Sequence, residues 1–344
     1  MKAPERVLTQ RELNRALLAR QLLLERSSLP LPRAVEQMGG VQAQYAPSAY
    51  IGLWSRLASF ERDALNRALE RRQVVQATLM RVTIHIVSRR DFWPLATAIR
   101  EPRRRWFLRT RKELGDARRQ ERAARRLRAA LEHGARSVRE LDDRFGKQGW
   151  NGMWLDLVRV PPSGTWERRR ADVVALAEDW VGPCDVDVEQ GRELLVRRYL
   201  GAFGPAAITE IADWGGVNAS DLKPTLERMR LRRFRDEGGR ELLDLPRAPL
   251  PDPATPAPVR FLPTWDATLL VHARRTGILP ERYRSRIFHI KTPHSFATFL
   301  VDGAVAGTWR YEDRRLVLDP FERLTRETRR ELEEEGERLA ALHA

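Results

Sequence analysis

The chain of 344 residues, 42% of them hydrophobic, is long enough for about two to three domains with sizeable cores. Its formal net charge of +15 rests on 62 basic residues, and only Lys2, Lys112, Lys147, Lys223 and Lys291 among them are lysines. No apolar run reaches the roughly 20 residues of a membrane span, Met1 to Leu8 lacks the apolar core of a signal peptide, and the single Cys184 excludes an internal disulfide framework. A basic chain attracts polyphosphate and releases its counterions on binding. A cytoplasmic, nucleoid-associated protein whose partner is a nucleic acid is the class expected.

The elements follow in chain order. Thr9-Gln10-Arg11-Glu12 reads as a capping box that opens a helix with Leu13, Leu17 and Leu24 on one face. Pro32 suits the first turn of a second helix, which stops at Gly39-Gly40. Gln42-Ala43-Gln44 follows, then a third apolar cluster (Ile51, Leu53, Trp54, Leu57) and a helix from Phe60 to about Arg71. The period then changes to β: Val74–Leu79 and Val82–Val87 flank a turn at Met80-Arg81. Three helices and a hairpin make a winged-helix pattern over residues 1–90.

Residues 91–187 read as a second such unit. It has a basic aromatic stretch around Arg103-Arg104-Arg105-Trp106, a capping box at Ser137-Val138-Arg139-Glu140, helical spacing from Trp150 to Val158, and a turn-rich wing from Pro161 to Arg168. Residues 188–245 read as a third. Its helices are Gly191–Ala202, Ile208–Trp214 and one capped by Ser220, and its hairpin turns at Gly238-Gly239. Residues 246–258 carry six prolines and read as a semi-rigid linker. Residues 259–344 are mostly β, with a hairpin at Asp302-Gly303 and a charged terminal helix. The fold class expected is α+β: three tandem winged-helix motifs and a β-rich C-terminal region.

Most strong enzyme motifs are missing. There is no phosphate-cradling Gly-Lys-Ser/Thr loop, no zinc-type Cys pair, and no elbow motif around a Ser. His289 and His294 lie five apart with nothing nearby to complete a ligand set, so neither metal nor cofactor is expected. In an extended segment, residues i and i+2 share a face. Gln42 and Gln44 can then aim two amides at one spot, each with a carbonyl acceptor and two N–H donors. Such a pair can hold a water but cannot ionise. The plainer alternative is a polar cap on the preceding helix end. Thr83 and His85 share one strand face, either a half-solvated wing or a contact to the DNA. The Arg103–Arg105 cluster, with Arg274 and Arg275, is either a solvated face or a set of phosphate contacts.

Six motifs in order carry a resemblance. They are Met38-Gly39-Gly40 with Gln42-Ala43-Gln44; Leu79-Met80-Arg81-Val82-Thr83-Ile84-His85-Ile86-Val87; Pro161-Pro162-Ser163-Gly164-Thr165-Trp166-Glu167; Arg198-Tyr199-Leu200 with Phe203-Gly204-Pro205; Phe261-Leu262-Pro263-Thr264-Trp265-Asp266; and Phe299-Leu300-Val301-Asp302-Gly303 with Gly307-Thr308-Trp309. Together, from about residue 8 to 320, they resemble the AlkZ/YcaQ superfamily of bacterial winged-helix DNA glycosylases. With Gln at position 44 rather than Asp, the chain resembles the Gln-apolar-Gln, AlkZ-type branch. The resemblance implies a monofunctional DNA glycosylase, with Gln42 and Gln44 catalytic, acting on duplex DNA that carries N7- or N3-alkylated purines. Bulky adducts and interstrand crosslinks fall within that branch. A cationic purine brings its own activation, so a water held in line is sufficient chemistry. Arg81, Thr83, His85, Arg103, Arg104, Arg105, Trp265, Arg274 and Arg275 are the candidate DNA-binding residues. A monomer is expected. The alternative is a non-enzymatic winged-helix DNA-binding protein, either a transcription regulator or a lesion- or toxin-binding resistance protein. The only candidate dimer helix, Thr325 to Leu342, is too charged for an apolar seam.

Overall fold

Local signals shape the start of the chain. In the computed structural model, which describes residues 4–147, 150, 152–273, 277–288 and 295–344, the Thr9 hydroxyl accepts from the Glu12 amide while the Glu12 carboxylate accepts from Thr9 N–H. That box opens the helix Gln10–Arg20. Pro32 sits in the first turn of Leu31–Gln37, where its missing N–H leaves no bond unmade. Gly39 and Gly40, both at positive φ, end that helix and turn the chain into the short strand Val41–Gln42.

The molecule is a mixed α+β fold with three sheets. The largest has six strands, in the order 41–42, 84–88, 74–78, 157–159, 173–176, 136–137. Every pairing in it is antiparallel. Strands from the segment 1–90 and from the segment 91–187 therefore lie side by side in one sheet, and the helix Arg89–Thr110 runs across residue 90 without a break. The stretch Trp150 to Val158, expected as a helix, instead ends in the strand Leu157–Arg159. The edge of Val74–Thr78 takes it up, with Gln76 opposite Arg159 and Ala77 opposite Val158.

The helix Val188–Phe203 forms the centre of the first core. It lies along Arg89–Thr110 and buries Leu195, Val196, Tyr199, Leu200 and Phe203 with Phe92, Ile99 and Trp214. Gly191 permits that approach: a Cβ there would come within 2.6 Å of the Pro94 carbonyl oxygen. Beyond it the hairpin Arg232–Asp236 and Glu241–Asp244 takes Val7–Leu8 as a parallel third strand.

The proline-rich stretch is bound along its length. Arg11 Nε donates to Pro253 O at 3.0 Å, Arg15 Nε to Thr255 O at 2.7 Å, and Arg20 Nη2 to Pro249 O at 2.9 Å, all from one helix. Arg20 also makes a bidentate pair with Asp244, and both side chains are fully buried. The last part is a four-stranded antiparallel sheet, Arg260–Leu262, Thr298–Val301, Ala304–Glu312 and Arg315–Pro320, turning at Asp302-Gly303 with both residues at positive φ. The terminal helix Arg326–His343 buries Leu332, Leu339 and Leu342 in a second core with Phe261, Phe299, Trp309 and Tyr50. Among the described residues no helix is long and apolar enough to cross a membrane.

Candidate active site

The second core lies directly beneath Gln42-Ala43-Gln44. Val41 and Ala43 are buried in it, so the alternation of an extended segment turns Gln42 and Gln44 to the opposite side. Strand Ile84–Ser88 fixes the segment: Gln42 is in register with His85, and Ala43 N donates to Ile84 O at 2.8 Å. The two amides do not share one environment. Gln42 is 8% exposed, while Gln44 lies at the surface. Each carbonyl oxygen has one partner. Gln42 Oε1 accepts from Arg81 Nη2 at 2.9 Å, and Gln44 Oε1 accepts from Ile84 N at 3.2 Å.

Gln42 lines a narrow recess shared with Ser48, Arg56, Thr264, Trp265 and Asp266. Its free volume is about 20 Å³, room for about one water. Ser48 Oγ and Thr264 Oγ1 are hydrogen-bonded at 2.8 Å across it. Asp266 is buried there, and its Oδ1 accepts from Arg56 Nη2 at 2.9 Å and from Thr268 N and Oγ1. Arg56 donates besides to Gly52 O. Trp265 is half-buried at positive φ, its backbone N–H donating to Ser295 Oγ at 2.8 Å.

The candidate DNA-binding residues separate into several groups. His85 is 2% exposed, and its Nδ1 lies 3.1 Å from Thr83 O. Burial first, and the Arg81 cation second, push its pKa down to about 3, so the ring is neutral at physiological pH. It sits beside Gln42 in the sheet and is not presented to solvent. Thr83 is half-buried, its hydroxyl donating to Met80 O at 3.1 Å. Arg81 turns inward to Gln42 and to Trp214 O.

Arg103 does not belong to an exposed basic cluster. It is buried, paired with Asp156 at 3.2 Å, because the loop before Leu157–Arg159 brings that carboxylate against the helix. Arg104 is half-buried on Glu101 and Trp154 O. Arg105 is exposed and paired with Asp221 at 2.9 Å. Arg274 and Arg275 lie outside the described residues, as do His289 and His294. Among the described residues no three His, Cys, Asp or Glu side chains come together as metal ligands.

Two residues at the site were not singled out from sequence. Tyr45, next to Gln44, is 44% exposed. Arg169, from the loop between Leu157–Arg159 and Val173–Leu176, donates to Tyr45 Oη at 3.1 Å and lies 5.9 Å from the ring centroid. The only signals for them were the position of Tyr45 after Gln44 and the run Arg168-Arg169-Arg170 in a turn-rich wing.

Against known proteins, the family described as DNA glycosylase AlkZ-like matches residues 35–342. The solved structure of Streptomyces sahachiroi DNA glycosylase AlkZ superposes with a TM-score of 0.80 over 97% of each chain, at 20% sequence identity. No curated protein matches in sequence.

Proposed function

The chain belongs to the AlkZ-like DNA glycosylase family, and from that premise we propose that it releases N7- or N3-alkylated purines from duplex DNA. A water held by Gln42 and Gln44 hydrolyses the N-glycosidic bond. The helices and hairpins are read as three winged-helix units over residues 1–90, 91–187 and 188–245, followed by a connector (246–258) and a β-rich region (259–344).

The observation that carries the reading is the placement of two amides on one side of an extended segment. Gln42 is held in the protein and Gln44 reaches the surface. Neither amide ionises, and His85 beside them is a weak base. Asp266, the carboxylate lining the recess, is tied to Arg56 and Thr268, so among the described residues the site offers no free acid to drive off a neutral base, and the proposed substrate brings a cationic leaving group. Preorganised dipoles around a fixed water then lower the barrier. None of the lysines lies within residues 41–45, 80–85 or 263–267, so water rather than an amine is the proposed nucleophile, and an abasic site remains.

The recess beside Gln42 is far too small for an extruded purine. The lesion accordingly meets Gln44 at the surface, with the base near the stack, which leaves space for bulky adducts or a crosslinked partner strand. Arg169 and Tyr45 flank that approach as candidate contacts to the backbone and the bases. The terminal helix packs into the protein's own core and has no free apolar face for a regulator's dimer.

The test is single-turnover release of N7-methylguanine from duplex DNA, with uracil-containing duplex as the neutral control. Release by the wild type, loss of about 10²-fold or more in Gln42→Ala and Gln44→Ala, and retained duplex binding are expected. Unchanged release in both variants, or efficient uracil release, refutes the proposal.

A further inference from the structure

The cation beside Gln42 has no anion. Arg81 is half-buried, and among the described residues no carboxylate pairs with it. Its two hydrogen bonds go to neutral oxygens: Gln42 Oε1 and Trp214 O, each at 2.9 Å. A guanidinium drawn away from water without an acid is costly, and surrounding contacts must offset it. Trp214 O belongs to the C-terminal end of the helix Ile208–Gly215, where unsatisfied carbonyls favour a cation.

The backbone also bends to place this side chain. Arg81 and Val82 both stand at positive φ, 52° and 57°. Gly216, the left-handed cap of the same helix, lets the bend approach: a Cβ there would lie 3.2 Å from Arg81 N and 3.3 Å from its Cα. A strained pair of residues, a glycine from a distant segment and a helix end thus converge to aim one guanidinium at one amide.

Arginine donates and never accepts. An amide facing it must present oxygen, and its NH₂ is left for the recess. We infer that Arg81 is a positioning residue that fixes the Gln42 amide with its oxygen inward and its N–H edge toward the recess, free to donate to the proposed water. This rests on the reading of Gln42 as a water-holding residue. It also replaces the expected role of Arg81 as a DNA contact. Gln42 donates to the water rather than accepting from it; Gln44 does not line the recess, and its exposed Oε1, which keeps a lone pair beside its bond from Ile84 N, accepts from the solvent side of the site. With Arg81 gone, the Gln42 amide is free to turn over, and the site loses a preorganised donor.

The experiment is a double-mutant cycle on single-turnover N7-methylguanine release, with duplex affinity measured in parallel. The proteins are wild type, Arg81→Met, Arg81→Lys, Gln42→Ala and Arg81→Met/Gln42→Ala. Expected is a rate loss for Arg81→Met approaching the roughly 10²-fold loss of a missing donor, with duplex affinity unchanged. Arg81→Lys, which keeps a donor, recovers about tenfold of that loss. The double variant is no slower than Gln42→Ala alone, because Arg81 acts only through that amide. Multiplying losses in the double variant overturn the inference and leave the proposed function standing. So does a defect in affinity with a normal rate at saturating DNA. A Gln42→Ala protein of normal rate removes both readings. Should Arg81→Met fail to fold, Arg81→Lys still decides: a rate no better than that of Gln42→Ala overturns the inference.

Discussion

Replacing Arg20 by Met removes a buried cation and leaves its anion behind. Asp244 is fully buried, and among the described residues its carboxylate accepts, besides from Arg20, from one backbone N–H, that of Leu245 at 2.9 Å. Arg20 gives it two bonds, at 2.7 and 2.9 Å, and ties the same guanidinium to Leu200 O and Pro249 O. Breaking such a pair from one side costs about 3–5 kcal/mol, since the stranded charge must be protonated or hydrated. For a chain of this size that is a fall in Tm of about 6–10 °C, taking about 2 °C per kcal/mol. Thermal melting followed by circular dichroism at pH 7.5 reads it. Arg20→Met/Asp244→Leu removes both charges and is expected to recover most of the loss. Arg197→Ala is the control, because its pair with Glu193 is exposed on both sides and is worth about 0.5 kcal/mol or less. A single variant within about 1 kcal/mol of wild type, or a double variant as unstable as the single, would refute the reasoning.

The buried imidazoles make stability depend on pH. Burial pushes His85 down to about 3 and His272 well below its ordinary value. The unfolded chain therefore takes up protons near pH 6.5 that the folded chain refuses. Stability is full above that value and falls as the pH drops toward the folded pKa. His85 alone accounts for a loss of order 2 kcal/mol at pH 5. Melting curves at pH 7.5 and 5 check this, and a Tm that is equal at both, or higher at pH 5, contradicts it. Gly216→Ala places a methyl against the Arg81 backbone at a left-handed φ of 69°. A destabilisation of about 1–2 kcal/mol is expected, together with slower base release at saturating DNA. Chemical denaturation and single-turnover rates measure the two effects.

Several elements were legible because their causes are local. The two capping boxes at Thr9 and Ser137 form as their spacing demands. Pro32, Gly39-Gly40 and Asp302-Gly303 start, stop and turn the chain where their backbone preferences place them. What stayed hidden depends on partners far along the sequence. Trp150 to Val158 has helical spacing, but the free edge of Val74–Thr78 captures its end. Arg103 looks solvent-bound until Asp156 arrives from a loop 53 positions later. The sequence puts Gln42 and Gln44 on one face, yet their unequal burial depends on how Ile84–Ser88 and residues 263–267 close over the first of them. The proline-rich stretch reads as a spacer, and only the three arginines of Gln10–Arg20 show that it is fastened.

The six-stranded sheet constrains how this protein can be divided. Its third and fourth strands, Val74–Thr78 and Leu157–Arg159, come from either side of residue 90. A fragment cut there would bare unpaired amides and carbonyls on a largely buried strand, a template for pairing with other copies. Such a fragment is an aggregation hazard rather than a portable module. Grafting the Gln42-Ala43-Gln44 segment onto another scaffold therefore requires carrying the neighbouring strands as well.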